Sequence, residues 1–193
     1  MGLVTLVSGG LDSTLISVLA KEENITQYPL FIDYGQKARH KEWQVCQQIH
    51  AALELPTPTR MDISCFGSII KSGLTDKNLD IKSDAFTPGR NLIFLVMASA
   101  YAYQMKVSSI SIGLLSEQFC IFPDQTDAFL LNAEKTISSA LGYKINILVP
   151  LRNFSKQDVI KLAKLKNINN TYSCHSGNDT PCGKCISCLE FMG

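Results

Sequence analysis

The sequence lacks a long apolar run and an excess of charge of either sign. Its longest largely apolar stretch, residues 92–102, is well short of the ~20 residues that a membrane-spanning helix needs. Its 18 basic and 17 acidic residues leave a net charge of +1, which argues against DNA or RNA as a default partner. The short apolar N-terminus has no basic leader, so no secretory signal is expected. We therefore predict a cytosolic protein without a membrane segment, in which direct binding to nucleic acid is not expected.

Two familiar nucleotide-binding motifs are also missing. The chain contains neither G-x-x-x-x-G-K-[ST] nor G-x-G-x-x-G, which excludes a Walker-type loop and leaves a dinucleotide site unsupported. What remains is an ordinary globular composition, 193 residues of which 46% are hydrophobic and 18% charged. That length fits one domain with a small appendage.

Apolar runs with β propensity alternate along the chain with segments of helical periodicity. Strands are predicted at residues 4–7, 28–32, 59–63, 109–114 and 145–149, and helices at 12–22, 37–53, 92–105, 125–141 and 156–166. This alternation predicts an α/β fold with a doubly wound, mostly parallel five-stranded sheet. The polar segment 72–87 is predicted to be a surface excursion. In such sheets ligands bind beyond the carboxyl ends of the strands, where the strand order reverses.

A loop suited to phosphate follows the first predicted strand. Ser8-Gly9-Gly10 leads through Leu11 into Asp12-Ser13 and a helical pattern. Glycines let an anion approach the backbone amides, and the first turn of a helix offers unpaired N–H groups and a partial positive charge. The hydroxyls can add donors, and Asp12 can help to hold Mg²⁺. The alternative is a tight strand-to-helix turn that binds nothing.

Four of the seven cysteines lie in the last twenty residues. The spacing of Cys174, Cys182, Cys185 and Cys188 offers four thiolates to one Zn²⁺, with an iron–sulfur cluster as the main alternative. Four protein ligands leave no open coordination position, which favours a structural role. His175 is therefore predicted to be a surface histidine rather than a ligand.

The motif Ser8-Gly9-Gly10-Leu11-Asp12-Ser13 resembles the pyrophosphate-binding loop of the N-type ATP pyrophosphatases. These enzymes cleave ATP between the α and β phosphates and adenylate an oxygen of their substrate. The resemblance implies that all six residues of the motif bind ATP.

The whole chain is similar to the 7-cyano-7-deazaguanine synthase family of queuosine precursor synthesis. The similarity covers the loop, residues 31–36, 88–91, 122–124 and 150–156, and the four cysteines, in one order. It implies an ATP pyrophosphatase domain at residues 1–166, a zinc element at 167–193, and a homodimer. It also implies that ATP with Mg²⁺ adenylates 7-carboxy-7-deazaguanine. Ammonia then forms the amide, and a second adenylation leads to the nitrile.

The resemblance also assigns roles to residues outside the loop. Arg90, Lys156 and Asp12 are the predicted catalytic residues: Arg90 can neutralise a phosphate or a carboxylate, Lys156 can contact a phosphate, and Asp12 can help to hold Mg²⁺. Arg90 could instead brace a turn, and Lys156 could be an ordinary solvated lysine. Asp33 and Gln36 are predicted to face the nucleotide, although either could cap the next helix. The predicted substrate residues are Arg90, Asn91, Gln118, Phe122 and Asp124.

The segment 117–126 departs from the family pattern. Gln118 stands where an aspartate is expected, and Gln125-Thr126 replaces a Cys-Arg pair. Glutamine can both donate and accept a hydrogen bond, whereas an ionised aspartate only accepts, so the substitution changes which pattern of substrate N–H groups can be bound. The departure leaves a second hypothesis open, in which a deazaguanine acid is joined to another amine, such as a protein N-terminus, as in phage-defence relatives. A tRNA-thiolating enzyme and a non-catalytic nucleotide-binding module are weaker alternatives.

Overall fold

Five parallel strands form the central sheet of the computed structural model, which describes residues 2–191. Their order is β3-β2-β1-β4-β5, and every neighbouring pair is parallel. The predicted doubly wound five-stranded sheet is therefore confirmed. The order reverses between β1 and β4, which places the switch point at the ends of these two strands. The strands are β1 (Gly2–Val7), β2 (Thr26–Asp33), β3 (Thr59–Asp62), β4 (Ser109–Ser111) and β5 (Asn146–Leu148).

Helices follow the strands much as the periodicity predicts. Two 3₁₀ turns, Glu117–Phe119 and Pro123–Gln125, lie between β4 and the next helix. Within residues 2–191 the α-helices are α1 (Leu11–Glu22), α2 (Arg39–Ala52), α3 (Cys65–Ile69), α4 (Arg90–Gln104), α5 (Asp127–Leu141), α6 (Lys156–Leu165) and α7 (Ile186–Glu190). The short helices α3 and α7 have no counterpart among the predicted elements, because five residues are too few to show a periodic pattern.

Side-chain caps fix where two of the helices that flank the site begin. Ser155 Oγ accepts from the Asp158 amide at 3.2 Å, and the Ser155 amide donates to Asp158 Oδ2 at 3.0 Å. This reciprocal pair starts α6 as predicted and places Lys156 at its first position. At the start of α5, Thr126 Oγ1 accepts from the Phe129 amide at 3.2 Å. The caps therefore hold the ends of α5 and α6 beside the carboxyl edge of the sheet.

The sheet is covered on both faces. The larger cluster packs α4 and α5 on one face, where Leu95, Ala98 and Leu130 meet Val4 and Ile110 of the sheet. A second cluster packs α1 against α6 through residues such as Leu15, Ile16 and Val159. Strands buried on both faces explain why β1 and β2 read as nearly continuous apolar runs.

The segment 72–87 is more than the predicted surface excursion. Leu74, Ile81 and Ala85 are buried, and the Leu74 carbonyl accepts from the Lys37 amide at 2.8 Å. Its polar composition concealed this packing, because its few apolar residues have no regular spacing. Across residues 2–191, none of the helices has both the length and the apolar character that crossing a membrane requires.

Candidate active site and metal centre

A cavity of about 350 Å³ opens at the carboxyl edge of the sheet, beside the switch point. The ends of three strands contribute Val7 from β1, Ile32 from β2 and Ile112 after β4. The phosphate loop, α4 and α6, the segment 116–125 and the C-terminal element complete the wall. The cavity therefore lies where the sequence predicts a ligand.

The Ser-Gly-Gly loop is folded by hydrogen bonds within itself. Ser13 Oγ accepts from the Ser8 amide at 3.2 Å, and Ser8 Oγ accepts from the Gly10 amide at 3.2 Å. Gly9 has a φ of +79°, and a Cβ there would lie 2.8 Å from the Cys46 amide nitrogen. Glycine is required at this position, because both the backbone conformation and the close approach of α2 exclude a side chain.

The start of α1 is left open towards the cavity. Gly10 precedes the helix and offers no side-chain cap, and the first helical bond runs from the Thr14 amide to the Gly10 carbonyl at 3.1 Å. The amides of Leu11, Asp12 and Ser13 precede that bond and have no partner within the helix. Three amides and the positive end of the helix dipole therefore suit an anionic group.

Lys156 and Asp12 form an ion pair at one side of this loop. Lys156 Nζ lies 2.8 Å from Asp12 Oδ1 and 3.0 Å from Oδ2, while Glu190 Oε2 is 3.7 Å away. The Lys156 side chain is only 12% exposed, which excludes the alternative of an ordinary solvated lysine. Burial raises the pKa of Glu190, and the nearby Lys156 partly opposes that rise.

Arg90 begins α4, directly after Gly89, and its side chain lines the cavity. Its Nε is buried and has no hydrogen-bond partner among the described residues. The guanidinium carbon lies 6.0 Å from the centre of the Tyr34 ring. An arginine at a cavity wall whose guanidinium is not paired with a carboxylate is suited to bind a carboxylate or phosphate.

Two residues of the β2–α2 region, Gln36 and Glu42, line the cavity. Gln36 was predicted, whereas Glu42 was not. Gln36 Nε2 donates to Glu42 Oε2 at 2.9 Å. Burial raises the pKa of Glu42 to about 7, although the hydrogen bond from Gln36 and the charge of Arg90 act against the rise. Glu42 precedes the buried Val45 and Cys46 by three and four positions, so a carboxylate on the buried face of a helix was the available signal.

The surface position predicted for His175 is wrong. The residue is not a surface histidine, because it lines the cavity and its Nδ1 is buried without a partner among the described residues. Burial, together with the charges of Arg90, Lys37 and Lys156, lowers its pKa to about 4. His175 is therefore neutral near pH 7 and offers the cavity an uncharged hydrogen-bonding group.

Asp33 is not brought into the cavity. Its carboxylate accepts from Arg60 of β3 at 2.5 Å and from the Gly35 amide at 3.0 Å. Ile32 and Tyr34 line the cavity instead, because side chains alternate between the two faces of a strand. The predicted role of Asp33 in binding the nucleotide thus gains no support from its position.

The predicted substrate residues of the segment 117–126 divide into two groups. Phe122 lines the cavity and packs on Phe86 with ring centres 5.2 Å apart. Gln118 is exposed and lies outside the cavity wall. Asp124 also lies outside it and bonds Asn91 instead, accepting from the Asn91 amide at 3.3 Å and, through its carbonyl, from Asn91 Nδ2 at 3.0 Å. Asp124 therefore holds the segment against α4.

The four C-terminal cysteines come together as predicted. Their sulfur atoms lie within 4.8 Å of one another. Tetrahedral Zn²⁺ with bonds of about 2.3 Å places its sulfur ligands about 3.8 Å apart, so this arrangement fits a single zinc ion. Burial works against ionisation of Cys174, but hydrogen bonds from Ser176 and the Cys182 amide lower its pKa to about 6. The cluster can hold a metal ion, and His175 lies between it and the cavity.

A family model described as "Queuosine biosynthesis protein QueC" matches residues 2–191. The chain belongs to the QueC family. This confirms the resemblance drawn from the loop, the segments that follow it and the cysteines. It also places the phosphate loop and the four cysteines within one family domain rather than in unrelated motifs.

Curated relatives extend the match over nearly the whole chain. A 7-cyano-7-deazaguanine synthase of Campylobacter jejuni subsp. jejuni serotype O:6 is 34% identical over 198 residues, which cover 95% of this chain and 88% of that protein. The 7-cyano-7-deazaguanine synthase of Acetivibrio thermocellus is also 34% identical, over 96% of this chain and 89% of that protein. These QueC relatives are named as synthases, which supports an enzyme.

Solved structures resemble the chain in fold at low sequence identity. The U34-tRNA thiolase NcsA of Methanococcus maripaludis, solved with its [4Fe-4S] cluster, gives a TM-score of 0.55 at 14% identity and covers 90% of this chain and 61% of its own. NMN synthetase of Francisella tularensis gives a TM-score of 0.51 at 16% sequence identity, and the match covers 92% of this chain and 68% of the synthetase chain. These similarities support the α/β fold of this QueC protein and carry no conclusion about its substrate.

Proposed function

We propose that this protein is an AMP-forming ligase that activates the carboxylate of 7-carboxy-7-deazaguanine with ATP. Ammonia then displaces AMP to give the amide. A second adenylation, at the amide oxygen, permits loss of that oxygen and yields the nitrile. Each adenylation releases pyrophosphate, because the bond between the α and β phosphates of ATP breaks. A single site can perform both, since each places an oxygen of the same substrate at the α phosphate.

One observation carries the proposal: the start of α1, with its open amides, and the side chain of Arg90 line the same cavity. The amides suit the pyrophosphate portion of ATP. Arg90 suits the carboxylate of the acid or the α phosphate, where negative charge increases during transfer. Preorganised donors of this kind lower the barrier without any protein nucleophile.

Other residues of the cavity would hold the remaining parts of the reactants. Asp12 offers a carboxylate for Mg²⁺, which neutralises phosphate charge when bound. Lys156 can move from Asp12 to a phosphate oxygen, since both groups lie at the start of a helix beside the loop. Phe122, with Phe86 behind it, offers an aromatic face to a deazapurine ring.

We infer that the four cysteines hold a structural Zn²⁺. Their sulfur atoms are all within 4.8 Å, which suits one ion. A [4Fe-4S] cluster binds each cysteine to a different iron and needs the sulfur atoms further apart. The ion would fix the segment 172–175 and α7 against the cavity, because Tyr172, His175 and Glu190 of this element line its wall.

The second hypothesis, transfer of the acid to a larger amine, draws less support from the cavity. It rests on the altered segment 117–126, but the altered residue Gln118 is exposed and outside the cavity wall. Gln125 is an altered residue that does line the cavity, and its Oε1 accepts from the Ile121 and Phe122 amides at 2.9 and 3.0 Å. The altered residues therefore affect the conformation of the segment 117–126 more than they affect the binding of the acceptor amine.

Thiolation of tRNA is weaker still. Of the cysteines outside the metal cluster, only Cys120 lies in the wall of the described cavity, while Cys65 is exposed on α3 and Cys46 is buried in the core. Within residues 2–191, the cavity wall therefore contains no pair of cysteines that could catalyse thiolation.

The test is to incubate the purified protein with ATP, Mg²⁺, 7-carboxy-7-deazaguanine and ammonium, and to identify products by mass spectrometry. We expect the amide, then the nitrile, with AMP and pyrophosphate. Formation of AMP only when a different amine or a peptide is supplied would favour the second hypothesis. ATP binding without AMP formation from any acid would indicate a binding module. Sedimentation of the same sample tests the homodimer.

A further inference from the structure

The proposed reaction needs a base, and the cavity contains one carboxylate that is suited to the task. Ammonia is present near neutral pH almost entirely as ammonium, which has no lone pair with which to attack. We propose that Glu42 is a catalytic residue that accepts a proton from the incoming ammonium. The freed lone pair then forms the C–N bond to the activated carbon, the C–O bond to AMP breaks, and the departing phosphate oxygen of AMP takes the second proton that the nitrogen loses as it becomes the neutral amide. This inference rests on the proposed function and names the group that makes its nucleophile.

The position of Glu42 is fixed by a chain of hydrogen bonds from the end of β2. Gln36 Nε2 donates to Glu42 Oε2 at 2.9 Å. Gln36 Oε1 in turn accepts from the Tyr34 amide at 3.0 Å, and its Nε2 also approaches the Ile32 carbonyl at 3.4 Å. Gln36 is buried, so this amide is held on both sides and orients the carboxylate. Among the described residues the hydrogen bond from Gln36 engages Oε2 alone, and Glu42 lines the cavity, where a donor of the ligand can reach its carboxylate.

The other ionisable groups of the cavity are less suited to accept the proton. Asp12 is bonded to Lys156 through both oxygens, and Glu190 shares the same lysine. His175 also lines the cavity, but none of the described residues orients its buried Nδ1. Glu42 has no salt-bridge partner within 4.0 Å among the described side chains, in contrast to Asp12 and Glu190.

The surroundings of Glu42 also place its proton affinity in the useful range. Burial raises its pKa to about 7. Arg90 of α4 acts against the rise through its charge, while Asp33 of β2 and Cys174 of the C-terminal element add to it. A base whose pKa lies near the working pH accepts a proton during the reaction and releases it afterwards.

The test compares two nucleophiles in wild-type protein, Glu42→Gln and Glu42→Asp. Ammonium must lose a proton before it attacks, whereas hydroxylamine is uncharged near neutral pH. We expect Glu42→Gln to lose about 10²- to 10⁴-fold in the rate of amide formation from ammonium. Formation of the hydroxamate from hydroxylamine should fall by less than about tenfold, because general-base help is worth little there. Glu42→Asp retains a carboxylate and should recover part of the ammonium rate.

Glu54→Gln is the matched control, because this carboxylate is exposed on the surface and the substitution is the same. An equal loss with both nucleophiles would overturn the inference, since it would place Glu42 in activation or folding. So would an unchanged ammonium rate in Glu42→Gln. If the wild-type protein forms no product with either nucleophile, the proposed function fails, and the inference with it. Loss confined to Glu42→Gln with ammonium supports the inference.

Discussion

Lys156 Nζ lies 2.8 and 3.0 Å from the two carboxylate oxygens of Asp12, 144 residues earlier in the chain. The pair joins the first turn of α6 to the first turn of α1, directly beside the phosphate loop. A lysine at the start of a helix opposes the helix dipole, so its place here is not explained by the stability of α6. The ion pair keeps a positive charge next to the site where we propose that phosphates bind.

Replacement of Lys156 by Met should therefore slow pyrophosphate release in the presence of the acid substrate by about 10²- to 10³-fold, by loss of charge at the transferred phosphate. The helix should remain, because Ser155 and Asp158 still cap it. Lys161→Met on the exposed part of the same helix serves as the control and should keep the wild-type rate. Equal rates for the two variants in a coupled pyrophosphate assay would contradict a role for Lys156.

Substitution of Gly9 by Ala should destabilise the fold more than the same change at Gly142. Both glycines have positive φ, +79° and +57°, so each substitution costs about 1 kcal/mol of backbone strain. A Cβ at Gly9 would also lie 2.8 Å from the Cys46 amide nitrogen, whereas nothing lies within 4 Å at Gly142. For a chain of this size each kcal/mol lowers Tm by about 2 to 4 °C. Equal shifts in thermal unfolding would show that the loop can move away from α2.

Metal removal should destabilise the C-terminal element and the cavity together. Elemental analysis is expected to find one zinc per chain, and a chelator should lower Tm and weaken the binding of ATP. Cys185→Ser should reproduce the effect, while Cys65→Ser, at an exposed cysteine outside the cluster, should not. Iron with acid-labile sulfide in place of zinc, or an unchanged Tm after chelation, would contradict a structural zinc site.

The raised pKa of Glu42 makes its contribution to stability depend on pH. Its folded-state pKa of about 7 is above the ordinary value of 4.5. A group with a raised pKa makes its full contribution to the stability of the fold when the pH is below its unfolded pKa. That contribution is lost as the pH rises through the folded pKa. Glutamine does not titrate, so the Tm of Glu42→Gln minus that of wild type should increase between about pH 4.5 and pH 7. A difference that stays constant with pH would exclude a raised pKa of Glu42.

His175 should affect the binding of the acid more than the binding of the metal. It lines the cavity with an unpartnered Nδ1 and is not among the four clustered sulfur ligands. His175→Ala should therefore raise KM for the acid about tenfold, the effect of losing one hydrogen bond of about 1 kcal/mol or more, while zinc content stays at one per chain. His40→Ala, on the exposed start of α2, is the control. Loss of zinc in His175→Ala would instead indicate a role in the metal site.

Local patterns were enough to predict much of the fold and part of the site. The phosphate loop follows from two glycines between an apolar strand and a helix, and the start of α6 follows from a capping serine. The metal cluster follows from cysteine spacing alone, because short turns can bring such thiolates together. Each of these features depends on residues that are close in sequence.

The remaining features depend on tertiary contacts. The cysteine spacing does not indicate that His175 turns towards the cavity, since that depends on how the element packs against α2. The helical spacing places Glu42 on the buried face of α2, but its contact with Gln36 becomes visible only in the folded chain. Asp33 ends a strand as predicted, but the alternation of side chains directs it to Arg60 on β3. Pairings of this kind join residues far apart in sequence, which single-sequence patterns do not encode.

The central claim is that an oxygen of the substrate carboxylate is transferred to AMP. The most direct test uses 7-carboxy-7-deazaguanine with a heavy oxygen isotope in both carboxylate positions, and measures the mass of the AMP released. The account predicts that each AMP carries one labelled oxygen, the first from the acid and the second from the amide. Unlabelled AMP accompanying formation of the nitrile, with the heavy isotope found in pyrophosphate or water, would contradict it.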